Sequence, residues 1–180
     1  MILVHIEGVK GDSKIAGYAE KDWFSVDSFS FQVVRDTKES AKAGTDDITI
    51  GVGLLEVCEF DKSTDIGTST LMQYSISGGP LPYAEIHFVQ TKEDKSGKQA
   101  VFPYLMFKLE PCFIKSWKIS GSEDGRPTEN VGLWYQRIAL SYRAYSRDAT
   151  GNYVYSAGHD TGWDQTLNSP WSTKLTIPGG

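Results

Sequence analysis

Residues 23–33 read Trp-Phe-Ser-Val-Asp-Ser-Phe-Ser-Phe-Gln-Val, and their alternation decides the fold. Trp23, Ser25, Asp27, Phe29, Phe31 and Val33 take one face, while Phe24, Val26, Ser28, Ser30 and Gln32 take the other. A period of two is the signature of a β-strand with one face buried. One face starts polar and becomes aromatic, so the strand bends or passes between two environments.

The same reading extends along the chain. Ile2, Val4 and Ile6 alternate with Leu3, His5 and Glu7 as a first strand, which Gly8 to Gly11 end in a turn. Ile48, Ile50, Val52 and Leu54 alternate in a strand that extends towards Phe60. Gly51 and Gly53 within it predict a bulge, strong curvature or the close approach of another backbone. Further strands are expected over Tyr83 to Gln90, Ala100 to Leu109, Phe113 to Ser120 and Val131 to Tyr145, with turns at Asp94 to Gly97, Gly121 to Pro127 and Asp148 to Asn152. Residues 35–46 are polar and aperiodic and read as an exposed loop, a length that compact domains keep for functional or mobile segments.

One helix is expected, from about Asp65 to Ile76. Asp61, Ser63 and Thr64 are cap-type residues before it, and Gly78-Gly79-Pro80 stops it. Ile66, Leu71 and Met72 are its candidates for a core-facing side. Short strands joined by hairpin-sized turns with a single helix imply an antiparallel barrel or a two-sheet sandwich, because a parallel sheet needs a crossover between each strand pair.

Composition narrows the function. A chain of 180 residues with 39% hydrophobic and 23% charged side chains suits one globular domain. The net charge of -5 argues against nucleic acid as a partner, since affinity for phosphates needs a clustered positive surface. No apolar run is long enough to span a bilayer, so membrane insertion is not expected, and the first residues carry no signal-peptide pattern. Cys58 and Cys112 lie far apart within apolar runs and read as buried free thiols, with a bridge left open by sequence alone.

Catalytic patterns are missing. His5, His87 and His159 stand in no metal-ligand spacing. No Gly-x-Ser-x-Gly elbow occurs, and Asp46-Asp47, Glu123-Asp124 and Asp160 read as solvated loop acids. Asp148 to Asn152 lacks the acids of a calcium loop and reads as a hairpin turn. The expectation is therefore no enzyme, no cofactor and no metal.

Several stretches, in order, resemble the Hcp family of type VI secretion tube proteins. Ile6 to Ser13 resembles the family's opening strand and turn, and Trp23 to Val33 its second strand. Asp61-Lys62-Ser63-Thr64, Leu71-Met72 and Ser77-Gly78 resemble its helix, from approach to exit. Thr128-Glu129-Asn130-Val131, followed by Leu133, Tyr135 and Ile138, is similar to the turn that leads into its late strand, and Gly162-Trp163-Asp164 to its closing strand. The chain departs from the pattern in a longer polar segment from Asp65 to Ser69, fewer glycines in 35–46 and an extension after Gln165.

The resemblance implies an antiparallel β-barrel of two packed sheets with one short flanking α-helix, in a domain over 1–165 followed by an extension over 166–180. It implies a homohexamer whose rings stack into a tube, with a spike protein, a contractile sheath and small effector cargo as partners. Assembly in the cytoplasm would precede secretion without a cleaved signal peptide. The loop residues Arg35, Asp36, Thr37, Lys38, Glu39, Lys42, Gly44 and Asp46 would form a charged, salt-sensitive contact with the next ring. Thr128, Glu129 and Asn130 would form the family's turn. The competing readings are a phage-like tail tube and a secreted β-barrel module that binds carbohydrate through Trp117, Trp134 and Trp163.

Overall fold

The computed structural model describes residues 1–35, 37–39, 48–50, 53–93, 97, 99–173 and 175. In chain order the elements are β1 (Ile2–Ile6), β2 (Phe24–Val26), β3 (Ser28–Ser30), β4 (Val33–Val34), β5 (Thr37–Glu39), β6 (Ile48–Ile50), β7 (Leu54–Leu55) and β8 (Cys58–Ser63). Helix α1 (Thr68–Ser77) follows, then β9 (Ala84–Glu93), β10 (Gln99–Ser120), β11 (Thr128–Arg147), β12 (Tyr153–Asp164) and β13 (Ser169–Pro170).

The pairing is antiparallel throughout and closes on itself. Strand β1 lies between β2 and β9, β9 pairs with β10, β10 with β11, β11 with β8, and β8 with β3. Because β3 continues β2 past Asp27, the circuit is a barrel. The bend expected between Trp23 and Val33 sits at Asp27, whose N–H donates to the Asp61 carbonyl at 2.7 Å. Inward positions change parity there: Phe24 and Val26 are buried before it, and Phe29 and Phe31 pack against the core after it. A slip of one residue moves side chains to the other face, so the aromatic residues turn inward as the strand changes partner.

Two long strands set the shape. The expected strands 100–109 and 113–120 are one strand, β10, which passes through Pro111 between the pairs Glu110↔Arg137 and Cys112↔Tyr135. Proline lacks an N–H to give to a ladder, and it is tolerated where the register makes no demand on it. Strand β11 uses one edge twice: Thr128 to Leu133 pair with β8, and Arg137 to Arg147 pair with β12.

The main core is apolar and lies inside the barrel, with Val4, Ile6, Phe24, Phe60, Ile86, Leu109, Val131, Leu133 and Tyr135 among its buried members. Cys58 and Cys112 belong to it as free thiols, and burial pushes both up to about 12. A smaller second core of Leu3, Tyr18, Trp23 and Val89 forms where the segment between β1 and β2 folds over the outer face of the sheet. That segment comes close: a Cβ at Gly11 would stand 2.2 Å from the Trp23 carbonyl oxygen.

The helix is shorter than expected and buries less. It starts at Thr68, and of the three candidates only Leu71 is buried, while Ile66 and Met72 are exposed. Asp61, Lys62 and Ser63 belong to β8, and the N-cap position falls to Gly67, which has no side chain to cap with; its own N–H donates to Asp65 Oδ1 at 2.8 Å. The region after Gly158 is also more regular than its glycines and prolines suggest. Tyr153 to Asp164 form β12, and β13 pairs back onto its end. A Cβ at Gly162 would come within 2.5 Å of the Trp171 carbonyl oxygen and 2.8 Å of that of Ile138, so glycine permits this crossing.

Candidate assembly interface

The sequence stretches Asp61-Lys62-Ser63 and Thr128-Glu129-Asn130 meet as cross-strand partners. Their register is Asp61↔Asn130, Lys62↔Glu129 and Ser63↔Thr128. Thr128, Glu129 and Asn130 therefore start strand β11 and are not a turn; the turn lies before them, in Gly121 to Pro127. Alternation along β8 sends Cys58, Phe60 and Lys62 inward, which drives a lysine into the barrel end.

That lysine is fully buried and fully engaged. Lys62 Nζ lies 3.1 Å from Glu129 Oε1 and 2.9 Å from Asp65 Oδ1. Glu129 also accepts from the Thr68 hydroxyl and, at 2.8 Å, from the Trp117 indole N–H. Thr68 Oγ1 accepts in turn from the Asp65 N–H at 2.9 Å. A buried ion pair is tolerable only when its remaining hydrogen-bonding capacity is met, and here it is. The network ties β8, β10, β11 and the first residue of α1 into one unit. At the rim, Asp61 accepts from Ser28 and Asn130, which together hold its carboxyl below the usual range.

Surfaces suited to contact lie elsewhere. Strands β4 and β7 pair with each other, and so do β5 and β6. These are two separate two-stranded ladders, one nested within the other in sequence and together called the hairpin below, and neither pairs with the nine-stranded sheet among the described residues. Residues 35–46 were expected to be a loop, but Thr37–Glu39 pair with Ile48–Ile50. Two-stranded pairing gains little from burial, which is why the polar sequence gave no periodic signal. Val33, Val34 and Leu54 at its base are exposed, as is Arg35. Asp36, Lys42, Gly44 and Asp46 lie outside the described residues, as does Gly51, while Gly53 faces the Val33 side chain across the hairpin.

Strand β12 has β11 on one side, and only its end, Trp163 and Asp164, is paired by β13 on the other. From Tyr153 to Thr161 its outer edge is unpaired among the described residues, and most of its side chains are exposed. Tyr142, Val154 and Tyr155 add exposed apolar surface beside it. An open edge with unused N–H and C=O groups is a template for another strand.

The tryptophans do not share one platform. Trp117 is engaged by Glu129, Trp163 packs against the main core, and Trp134 is half exposed beside Phe113. Asp148 is the anchor of its turn, accepting from the N–H groups of Thr150 and Asn152, as a hairpin requires. No helix among the described residues is long and apolar enough to cross a membrane.

Comparison with known proteins places this geometry. The sequence profile of the family described as "Type VI secretion system effector, Hcp" matches residues 3–142. Among solved structures, one described as a type six secretion system protein superposes with a TM-score of 0.75 at 19% identity, over 94% of this chain and 98% of that one. Hcp1 from Salmonella typhimurium superposes with a TM-score of 0.66 at 19% identity, over 94% of this chain and 98% of that one. A type VI secretion system effector from Yersinia pestis gives 0.62 at 16% identity, over 91% and 99% of the two chains. No curated protein sequence matches the chain.

Proposed function

The chain belongs to the Hcp family of type VI secretion proteins and is a tube subunit of that system, and from this premise we propose that it closes into a hexameric ring whose copies stack. The observation that carries the ring is the open edge of β12: one copy's edge, exposed over Tyr153 to Thr161, offers backbone groups to the next copy. A contact between two different patches repeats around an axis, and it either closes or runs on as a filament.

Stacking falls to the hairpin between Val33 and Leu55. It pairs with no other strand of the described chain, and its residues include Arg35, Lys38, Lys42, Asp36, Glu39 and Asp46. Such mixed charge at a contact gives register and salt dependence. The spike protein, the contractile sheath and small cargo in the lumen complete the reading, as does assembly in the cytoplasm followed by secretion without a cleaved signal. The segment after Gln165 is read as part of the same domain, because Ser169–Pro170 and Trp171 lie against β12. The role is structural and needs no catalysis.

Negative-stain microscopy of the purified protein is expected to show annular particles. Deleting 37–44 is expected to leave single rings but abolish end-to-end stacks. Stacks that persist without those residues would remove the hairpin from the contact.

A further inference from the structure

Where β11 ends and β12 begins, the sheet carries cations without counter-charges. Lys92 Nζ lies 4.4 Å from the centre of the Tyr153 ring, and the Arg147 guanidinium carbon lies 4.9 Å from it. Phe102 packs against the same ring at 5.8 Å and against Tyr145 at 5.1 Å, so both cations rest on a packed aromatic base. Neither Lys92 nor Arg147 is in an ion pair among the described residues. The carboxylate next in sequence, Asp148, is engaged within its own turn, where one oxygen accepts from Thr150 and Asn152. Two like charges over one ring repel each other, and together they hold the Tyr153 hydroxyl below the usual phenol range, chiefly through Arg147.

Carboxylates without cations lie at the opposite end of the same strand. The turn from Gly121 to Pro127 exposes Glu123 and Asp124, and neither is in an ion pair among the described residues. Arg126, in the same turn, instead lines a cleft with Asp12 and Asp65. Arg147 is the last residue of β11 and the turn precedes its first, Thr128, so the length of the strand, roughly 60 Å, keeps the opposite charges apart within one chain. The hairpin between Val33 and Leu55 leaves the barrel towards the Arg147 end, because Ser63 pairs with Thr128 and Cys58 with Leu133. The cations therefore face the same way as the hairpin.

We propose that the Gly121 to Pro127 turn of a second copy docks on the surface of Lys92, Arg147 and Tyr153, with Glu123 and Asp124 as counter-charges to the two cations. This rests on the reading that copies stack, and the contact is additional to that of the hairpin. It is head to tail, because its two halves lie at opposite ends of one chain, and it repeats along an axis without using either half twice.

The test is charge reversal in the full-length chain, read as ring-to-ring association by sedimentation velocity at low salt. Lys92→Glu with Arg147→Glu, and Glu123→Lys with Asp124→Lys, are each expected to keep the wild-type melting temperature but to weaken end-to-end association about tenfold or more. All four substitutions together restore opposite charges across the contact and are expected to return association to within about threefold of wild type. Stacking at wild-type strength by either pair, or no recovery in the fourfold variant, would overturn the contact. Wild-type rings that do not stack would overturn the stacking reading and this contact with it, whereas wild-type stacks that the reversals leave unchanged would overturn this contact alone.

Discussion

Two groups of buried charge in this barrel are handled in opposite ways. At one end Lys62 Nζ lies within 3.1 Å of a carboxylate oxygen of both Asp65 and Glu129, and Glu129 accepts further from Thr68 and Trp117. On the outer face Glu85 stands 3.6 Å from Lys108 and 3.7 Å from His87, and one nitrogen each of His5 and His87 has no hydrogen-bond partner among the described residues. The first arrangement is closed, and nothing can be added to it without a loss. The second is held by longer contacts, so removing one of its members should cost less than opening the first.

The largest expected effect comes from opening the closed network. Glu129→Ala leaves Lys62 with Asp65 alone and strips the Trp117 indole of its acceptor, so chemical denaturation should report a loss of about 3–5 kcal/mol. A loss below about 1 kcal/mol would mean that the network is better hydrated than its burial implies.

The next effect is a pH dependence from the outer group. His87 is fully buried, its Nδ1 is 3.1 Å from the Tyr18 hydroxyl, and burial holds it far below the ordinary imidazole range, at about 3. The unfolded chain takes up a proton near pH 6.5 and the folded chain does not, so stability falls as pH drops from there towards 3. Between about pH 7 and pH 5 the expected loss from this residue is about 2 kcal/mol, and His87→Gln should flatten that part of the profile.

The smallest effect belongs to Glu85. Burial is the main cause that raises its pKa, partly offset by Lys108. A raised carboxyl favours folding at low pH, and that advantage is lost as pH rises through the folded value. At neutral pH, Glu85→Gln should therefore keep or slightly raise the melting temperature, by no more than about 1 kcal/mol in stability. A loss of several kcal/mol would make Glu85 a structural residue and erase the contrast between the two groups.

Legibility in the sequence followed the strength of the pattern. Strand β1 and the bend between β2 and β3 were readable because an alternating apolar face is buried on one side of a sheet. The hairpin of β4 to β7 was not, because its pairing is backbone to backbone and its outer half is polar. The helix start was misplaced because Asp61 and Ser63 are good cap residues by type, yet alternation from Cys58 to Lys62 had already committed them to β8. Pro111 suggested a break that the register of β10 passes over. Of the proposed interface, the segment at Arg35 stands out in the sequence by its polar, aperiodic composition, while the open edge of β12 depends on which strands pair and leaves no local signal.

By itself the sequence determined the class: period-two runs require sheet, short turns make it antiparallel, and ordered motifs name the family. What only the tertiary structure decided is which polar residues meet. Lys62 and Glu129 are 67 positions apart, and no local pattern says that they share a register. Nor does any local pattern show that the buried Glu85 carboxylate meets Lys108, 23 positions away, at 3.6 Å. Those facts depend on sheet register and on a segment folding over a face, and both are set by packing between distant parts of the chain.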